Sequence, residues 1–203
     1  MVPGAAVDCE RILDSWWGQP VNTATCVGFL IGGIIIWRRG TDPMAALLTT
    51  AIGVGSIAFH GPMPPWGEFV HDVTIVWALV WVILVELGRQ RLAPGAFAVT
   101  GLLALTPATA DPSQALLAIA VLVLQLRARD HRRLRLVGVG LLAIGALIGR
   151  LASTGWPLCD PDSLIQGHGF WHLCSAAALT IWGGWTQPDG PAGLPNTADV
   201  PRG

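Results

Sequence analysis

Apolar residues in this chain fall in seven long blocks separated by short polar breaks. They lie near residues 20–37, 44–60, 69–88, 94–110, 113–128, 134–152 and 168–185. An apolar helix needs roughly 20 residues to cross the hydrocarbon core of a bilayer, and most blocks approach that length. The fourth (PGAFAVTGLLALTPATA) and the fifth are the shortest for the task. The pattern predicts an all-α integral membrane protein: a seven-transmembrane helix bundle over 20–185, preceded by an outer segment 1–19. The stretch 186–203 is rich in Pro, Gly and Asp and is expected to be a disordered cytoplasmic tail. The opening MVPGAAVDCERILDSWW lacks the basic and apolar regions of a cleaved signal peptide. The first block is therefore expected to act as its own insertion signal. Gly28-x-x-x-Gly32 and Gly145-x-x-x-Gly149 offer small faces for close helix packing.

Composition agrees with this pattern. Hydrophobic residues make up 52% of the chain and charged residues 12%, about half the charge of a soluble domain. The net charge of −1 removes the electrostatic case for a nucleic-acid partner. Nothing in the sequence sets the oligomeric state. All twelve basic residues are arginine, and their placement sets the orientation. Arg38 and Arg39 lie between spans 1 and 2, Arg89 and Arg91 between spans 3 and 4. Arg127, Arg129, Arg132, Arg133 and Arg135 lie between spans 5 and 6. With seven spans, all of these fall on one side, while the other side has Arg11 and Arg150. Positive loops stay in the cytoplasm. The amino terminus is therefore expected outside and the carboxyl terminus in the cytoplasm.

Ionisable groups near apolar spans are costly and need a reason. Span 2 ends in GSIAFHGP, with Ser56 and His60 four apart. Span 3 begins with FVHDVTIVW, carrying His71 and Asp72. Span 7 begins with GHGFWH, carrying His168 and His172. The amino-terminal segment holds VDCERILDSWWGQPVNT. Given the alternating directions of the spans, all four segments gather at one membrane face. Positions i and i+4 share a helix face, so His168 and His172 can meet one metal ion and His60 can add a third nitrogen. Three histidines and a water form a catalytic zinc arrangement. Asp72 is placed to orient that water and take its proton. Ser56 can hydrogen-bond an oxyanion, or bond back to its own helix. His71 and Asp72 point about 100° apart on a helix, so only one can face the bundle centre, and His71 remains a second candidate for third ligand. Glu86, near the other end of span 3, is expected to reach the interface, and His131 to be solvated. Cys9 and Cys159 both fall on the outer, oxidising side, where a disulfide can form. Cys26 and Cys174 lie inside spans and are expected to be small packing residues.

The order and spacing of these motifs resemble the alkaline ceramidase family, part of a wider group of seven-span membrane hydrolases. That group includes the progestin and adiponectin receptors and the Per1 lipid-remodelling proteins. SIAFH followed twelve residues later by Asp72, His-x-x-Trp-His at 168–172 with Trp171 in the matching place, and Cys9-Glu10 followed by Asn22-Thr23 carry the likeness. The resemblance implies zinc held by His60, His168 and His172. It implies hydrolysis of a ceramide amide, assisted by Asp72 and Ser56, to a fatty acid and a sphingoid base. Cys9 and Cys159 match the family's disulfide in rough location. In the animal enzymes the amino-terminal segment also binds calcium, through a Trp-Cys-Glu run, a following Asn and a second Glu. Here Glu10 is retained, Asp8 stands for the Trp, Ile12 for the Asn and Gln19 for the second Glu; Asp8 or Asp14 would have to compensate. Arginine without lysine, with much Ala and Gly, reads as a bacterial chain, expected in the plasma membrane with its site near the outer face. Its lipid is then a ceramide, another N-acyl lipid or an ester. Two other readings stay open: a seven-span lipid receptor of the same architecture with little turnover, and a transporter. A transporter would be expected to show broken helices and paired half-repeats, and the sequence has no internal repeat.

Overall fold

The computed structural model describes residues 4–186. The tail expected to be disordered lies outside the described residues beyond Thr186. Besides the short 3-10 turns Gly4–Val7 and Gln90–Leu92, seven α-helical units follow one another among the described residues: α1 (Pro20–Arg39, with a turn at Cys26), α2 (Pro43–His60), α3 (Gly67–Glu86), α4 (Ala93–Leu103), α5 (Pro107–Arg127), α6 (Arg132–Leu151) and α7 (Gly167–Ile181). A π turn, Trp182–Thr186, extends α7. Among the described residues there is no strand. Five helices, α1, α2, α3, α5 and α6, are long and apolar enough to cross a membrane. The outward faces of α1, α2, α5 and α6 are apolar as well: Ile31, Leu47, Val54, Leu116 and Leu147 are each more than half exposed. Such a surface suits a lipid solvent and not water.

Local chemistry sets the boundaries. Gly40 closes α1 in the left-handed region at φ 68°. Asp42 then caps α2, its Oδ1 accepting the Ala45 amide at 2.9 Å, with Pro43 in the first turn. The other oxygen of Asp42 accepts from Trp81 Nε1 at 2.9 Å and ties α2 to α3.

The fourth block departs from the expectation. The apolar run 94–110 is not one helix: α4 stops at Leu103, and α5 starts at Pro107 behind an extended Thr106. Proline has no N–H to leave unpaired at a helix start, and hydropathy alone does not register that break. At 11 residues and about 1.5 Å each, α4 is much shorter than a bilayer core.

Packing is sequential. α6, α7, α1, α2 and α3 contact one another in that order, and α4 and α5 lie against α3. α7 sits between two glycine faces. A Cβ on Gly28 would meet Leu173 and Ala176, and one on Gly145 would lie 2.7 Å from the Cys174 Cβ. Both Gly-x-x-x-Gly motifs thus bring a neighbour against α7, the helix that carries two of the histidines. α5 and α6 touch only sparsely. The space between them, closed by α3 and α7, is a cavity of about 450 Å³.

Candidate metal centre

His60 ends α2, and His168 and His172 stand one turn apart at the start of α7. Among the described residues they form the one cluster of three or more potential metal-ligating side chains. A ring nitrogen from each lies within 4.8 Å of the others. His60 and His172 are buried, and the His168 side chain is 21% exposed.

What suits the cluster to a metal ion is the division of labour on each ring. His60 Nδ1 is 2.7 Å from Gln19 Oε1, His168 Nδ1 is 3.0 Å from Asp8 Oδ1, and His172 Nδ1 is 3.2 Å from the Asn22 carbonyl. Gln19 Oε1 and the Asn22 carbonyl can only accept. The Thr25 hydroxyl, 3.1 Å from His172 Nδ1, gives its hydrogen to the Val21 and Asn22 carbonyls. Asp8 sets a carboxylate at ion-pair distance from His168 Nδ1. The Nδ1 atoms are therefore assigned the ring protons. The three Nε2 atoms then carry lone pairs, and all three are buried without a hydrogen-bond partner. Buried polar atoms are rarely orphaned. Three orphans on three clustered rings fit a cation, and the Nδ1 acceptors are the outer partners that metal-bound histidines use. Nitrogen ligands of this kind suit zinc.

Around the cluster, Ser56 is buried and lines the cavity. Its Oγ makes no hydrogen bond, so it does not bond back to α2. His71, not Asp72, lines the cavity beside it. The His71 ring stacks on Phe59 at 4.7 Å, its centroid 5.9 Å from that of His60. Asp72 lies behind it, with Oδ1 accepting from His71 Nδ1 at 3.0 Å and from Gln114 Nε2 at 3.1 Å. Its Oδ2 has no hydrogen-bond partner among the described residues. The 100° offset left one of the two neighbours to face inward; packing on Phe59 places His71 there.

The amino-terminal segment folds over the cluster. Ala5 packs on Phe59, and Cys9 is disulfide-bonded to Cys159. Asp8 and Glu10, the expected calcium pair, are engaged elsewhere. Asp8 holds His168 and also lies 3.8 Å from His60 Nδ1. Glu10 is buried, and its two oxygens accept the Val21 and Asn22 amides at 2.6 and 2.8 Å. Burial pushes the Glu10 carboxyl above the usual range, and those two amides pull it part of the way back. Neither residue belongs to a metal-ligating cluster among the described residues. Asp14 is exposed.

At the opposite end of the cavity is a second polar group that the sequence does not foretell. Arg135 Nη1 donates to Glu86 Oε1 and to Gln125 Oε1, each at 2.7 Å. Its Nη2 donates to Asp130 Oδ2 at 2.7 Å, and Trp182 Nε1 donates to Glu86 Oε1 at 2.7 Å. Glu86 therefore does not reach out to an interface; a buried guanidinium holds it inside. Arg135, counted from sequence as a loop charge, is 5% exposed. Gln19 and Gln114 are likewise contacts that sequence reasoning did not assign. The available signal was the rarity of carboxamides beside apolar spans.

No protein-family model matches this chain, and no curated protein matches it.

Proposed function

We propose that this protein is a zinc-dependent integral-membrane hydrolase that cleaves the amide bond of a ceramide-like lipid. One observation carries the reading. Three buried, unpartnered Nε2 atoms converge beside an apolar cavity that His168, His172, Ser56 and His71 line. The motif likeness to alkaline ceramidases supports the same reading, and with it a seven-span topology with the amino terminus outside and the site near the outer face of a bacterial plasma membrane.

The cavity suits one acyl chain. His71 and Val82 both line it, and eleven residues of α3 separate them by about 17 Å. That is close to the depth of one leaflet, about half of a ~30 Å core. The walls between are apolar: Ile75, Ala118, Leu142 and Leu179 are among them.

His60, His168 and His172 would hold the ion through Nε2. When bound, zinc supplies a Lewis acid and a water whose pKa is lowered towards about 7. Asp72 would take the proton of the attacking water by way of His71, whose ring lines the cavity and whose Nδ1 it holds at Oδ1, with Gln114 fixing the same oxygen. Ser56 Oγ has its hydrogen free to donate to the oxyanion that develops on the substrate carbonyl. Returning the Asp72 proton to the leaving nitrogen completes hydrolysis to a fatty acid and an amine.

The test is incubation of the purified protein with ceramides, N-acyl amino acids and phospholipids, with products identified by mass. Fatty-acid release from an N-acyl lipid, lost in Asp72→Ala, is the expected result. Tight lipid binding without turnover would favour a receptor, and release only from phospholipids would favour an esterase.

A further inference from the structure

Gln19 is fully buried, and its side chain meets three parts of the protein at once. Nε2 donates to the Ala5 carbonyl at 2.8 Å and to the Glu10 carbonyl at 3.0 Å. Oε1 accepts from His60 Nδ1 at 2.7 Å and faces Asn22 Nδ2 at 3.4 Å. The backbone joins in: Gln19 N donates to the His60 carbonyl at 2.7 Å, and the Gln19 carbonyl accepts the Thr23 amide at 2.9 Å. One residue thus holds the amino-terminal segment, the start of α1 and a zinc-cluster ring in register.

The Nε2 group stands where two backbone carbonyls converge. Carbonyl oxygens facing one point are what a hard cation collects. Calcium takes six to eight oxygens at about 2.3–2.6 Å. Here two N–H bonds satisfy both carbonyls instead, and no carboxylate oxygen joins them. Glu10 spends its carboxylate on the Val21 and Asn22 amides, and Asp8 spends its own on His168. One buried oxygen beside them, Asn22 Oδ1, has no partner, but a single amide oxygen is far short of six ligands, and the residues present do not fit calcium.

We infer that the Gln19 carboxamide replaces a bound cation as the clamp between the outer segment and His60, which makes the metal centre independent of calcium. Gln19 is a positioning residue: it acts on the zinc site through His60 Nδ1. A carboxylate at position 19 would face the Ala5 and Glu10 carbonyls with like partial charge. A proton on the carboxylate would relieve that repulsion at one carbonyl, and a cation between them would relieve it at both. The identity of residue 19 therefore decides whether calcium is needed.

This inference rests on the zinc reading of the three histidines, and the test separates the two. Full-length protein and the variants Gln19→Glu and Gln19→Ala are prepared in calcium-free buffer. Tm and zinc content are then measured with and without about 10 mM calcium, above the ~10⁻⁴–10⁻³ M range of the weakest extracellular sites. The wild type is expected to show the same Tm and zinc content in both conditions. Gln19→Glu is expected to have a lowered Tm that calcium raises by at least about 5 °C. Gln19→Ala is expected to bind zinc about 10–100-fold more weakly, with or without calcium. A wild type that gains stability or zinc on adding calcium overturns the inference, as does a folded Gln19→Glu that ignores calcium. A wild type without zinc but with a calcium-insensitive Tm refutes the zinc reading and leaves the carboxamide clamp standing.

Discussion

Each histidine of the cluster owes its orientation to a different acceptor. Asp8 serves His168, Gln19 serves His60, and a backbone carbonyl of α1 serves His172. Losing an outer acceptor typically lowers metal affinity about 10–100-fold. Asp8→Ala is therefore expected to weaken zinc binding by that factor in a chelator competition, and an unchanged affinity would remove Asp8 from the site. Ser56 is different: it touches no ring nitrogen, so Ser56→Ala should keep its zinc. Loss of an oxyanion donor should lower kcat by about 10²–10³, read with the best lipid from the substrate panel. Much of this set was legible in the sequence, because Ser56–His60 and His168–His172 stand one helical turn apart and helix geometry does the rest. The roles of Asp8 and Gln19 were not, because they depend on a non-helical segment folding back over the bundle. Periodicity carries no information about such a path. The choice between His71 and Asp72 was also hidden, because it turns on the stacking of His71 on Phe59.

At the scale of elements, α7 is the piece on which the centre depends, and two glycine faces let its neighbours approach it. A Cβ on Gly145 would sit 2.7 Å from the Cys174 Cβ, whereas Gly140, on the same helix, has open space around it. Gly145→Val is expected to lower stability by about 1–3 kcal/mol through overpacking, and Gly140→Val by much less, read as Tm in detergent. Equal Tm values for the two would mean that α6 and α7 do not meet as described. Both Gly-x-x-x-Gly motifs were visible from spacing, but their common partner was not. The break between α4 and α5 was missed for a related reason: Ala104 and Leu105 are as apolar as a helix interior, and only Thr106-Pro107 marks the stop. The loop before α6 supplies a pH test. The hydrogen bond from Arg135 holds Asp130 below its ordinary 3.8. A lowered carboxyl stabilises above its unfolded value and stops doing so as pH falls through the folded one. The Tm difference between wild type and Asp130→Asn should thus be present at neutral pH and close below pH 3.8. It should be small, because Asp130 is largely exposed.

At the scale of the whole molecule, the protein has polar chemistry at both ends of an apolar cavity. The histidine cluster lies at one end, and the Glu86–Arg135–Gln125–Trp182 network lies at the other. The apolar blocks foretold a helical bundle, and five of the helices are long and apolar enough to cross a membrane. The far network could not be read from sequence, since it joins residues from α3, α5, α6 and the π turn that no spacing rule connects. The Cys9–Cys159 bond, 150 residues apart in the chain, keeps the amino-terminal segment over the cluster. All of these features converge on the claim that His60, His168 and His172 hold one zinc ion. The most direct test is elemental analysis of protein purified without chelator, for the wild type and His172→Ala. The account predicts about one zinc per chain in the wild type and almost none in the variant. A wild type without stoichiometric zinc, or a variant that keeps it, would contradict it.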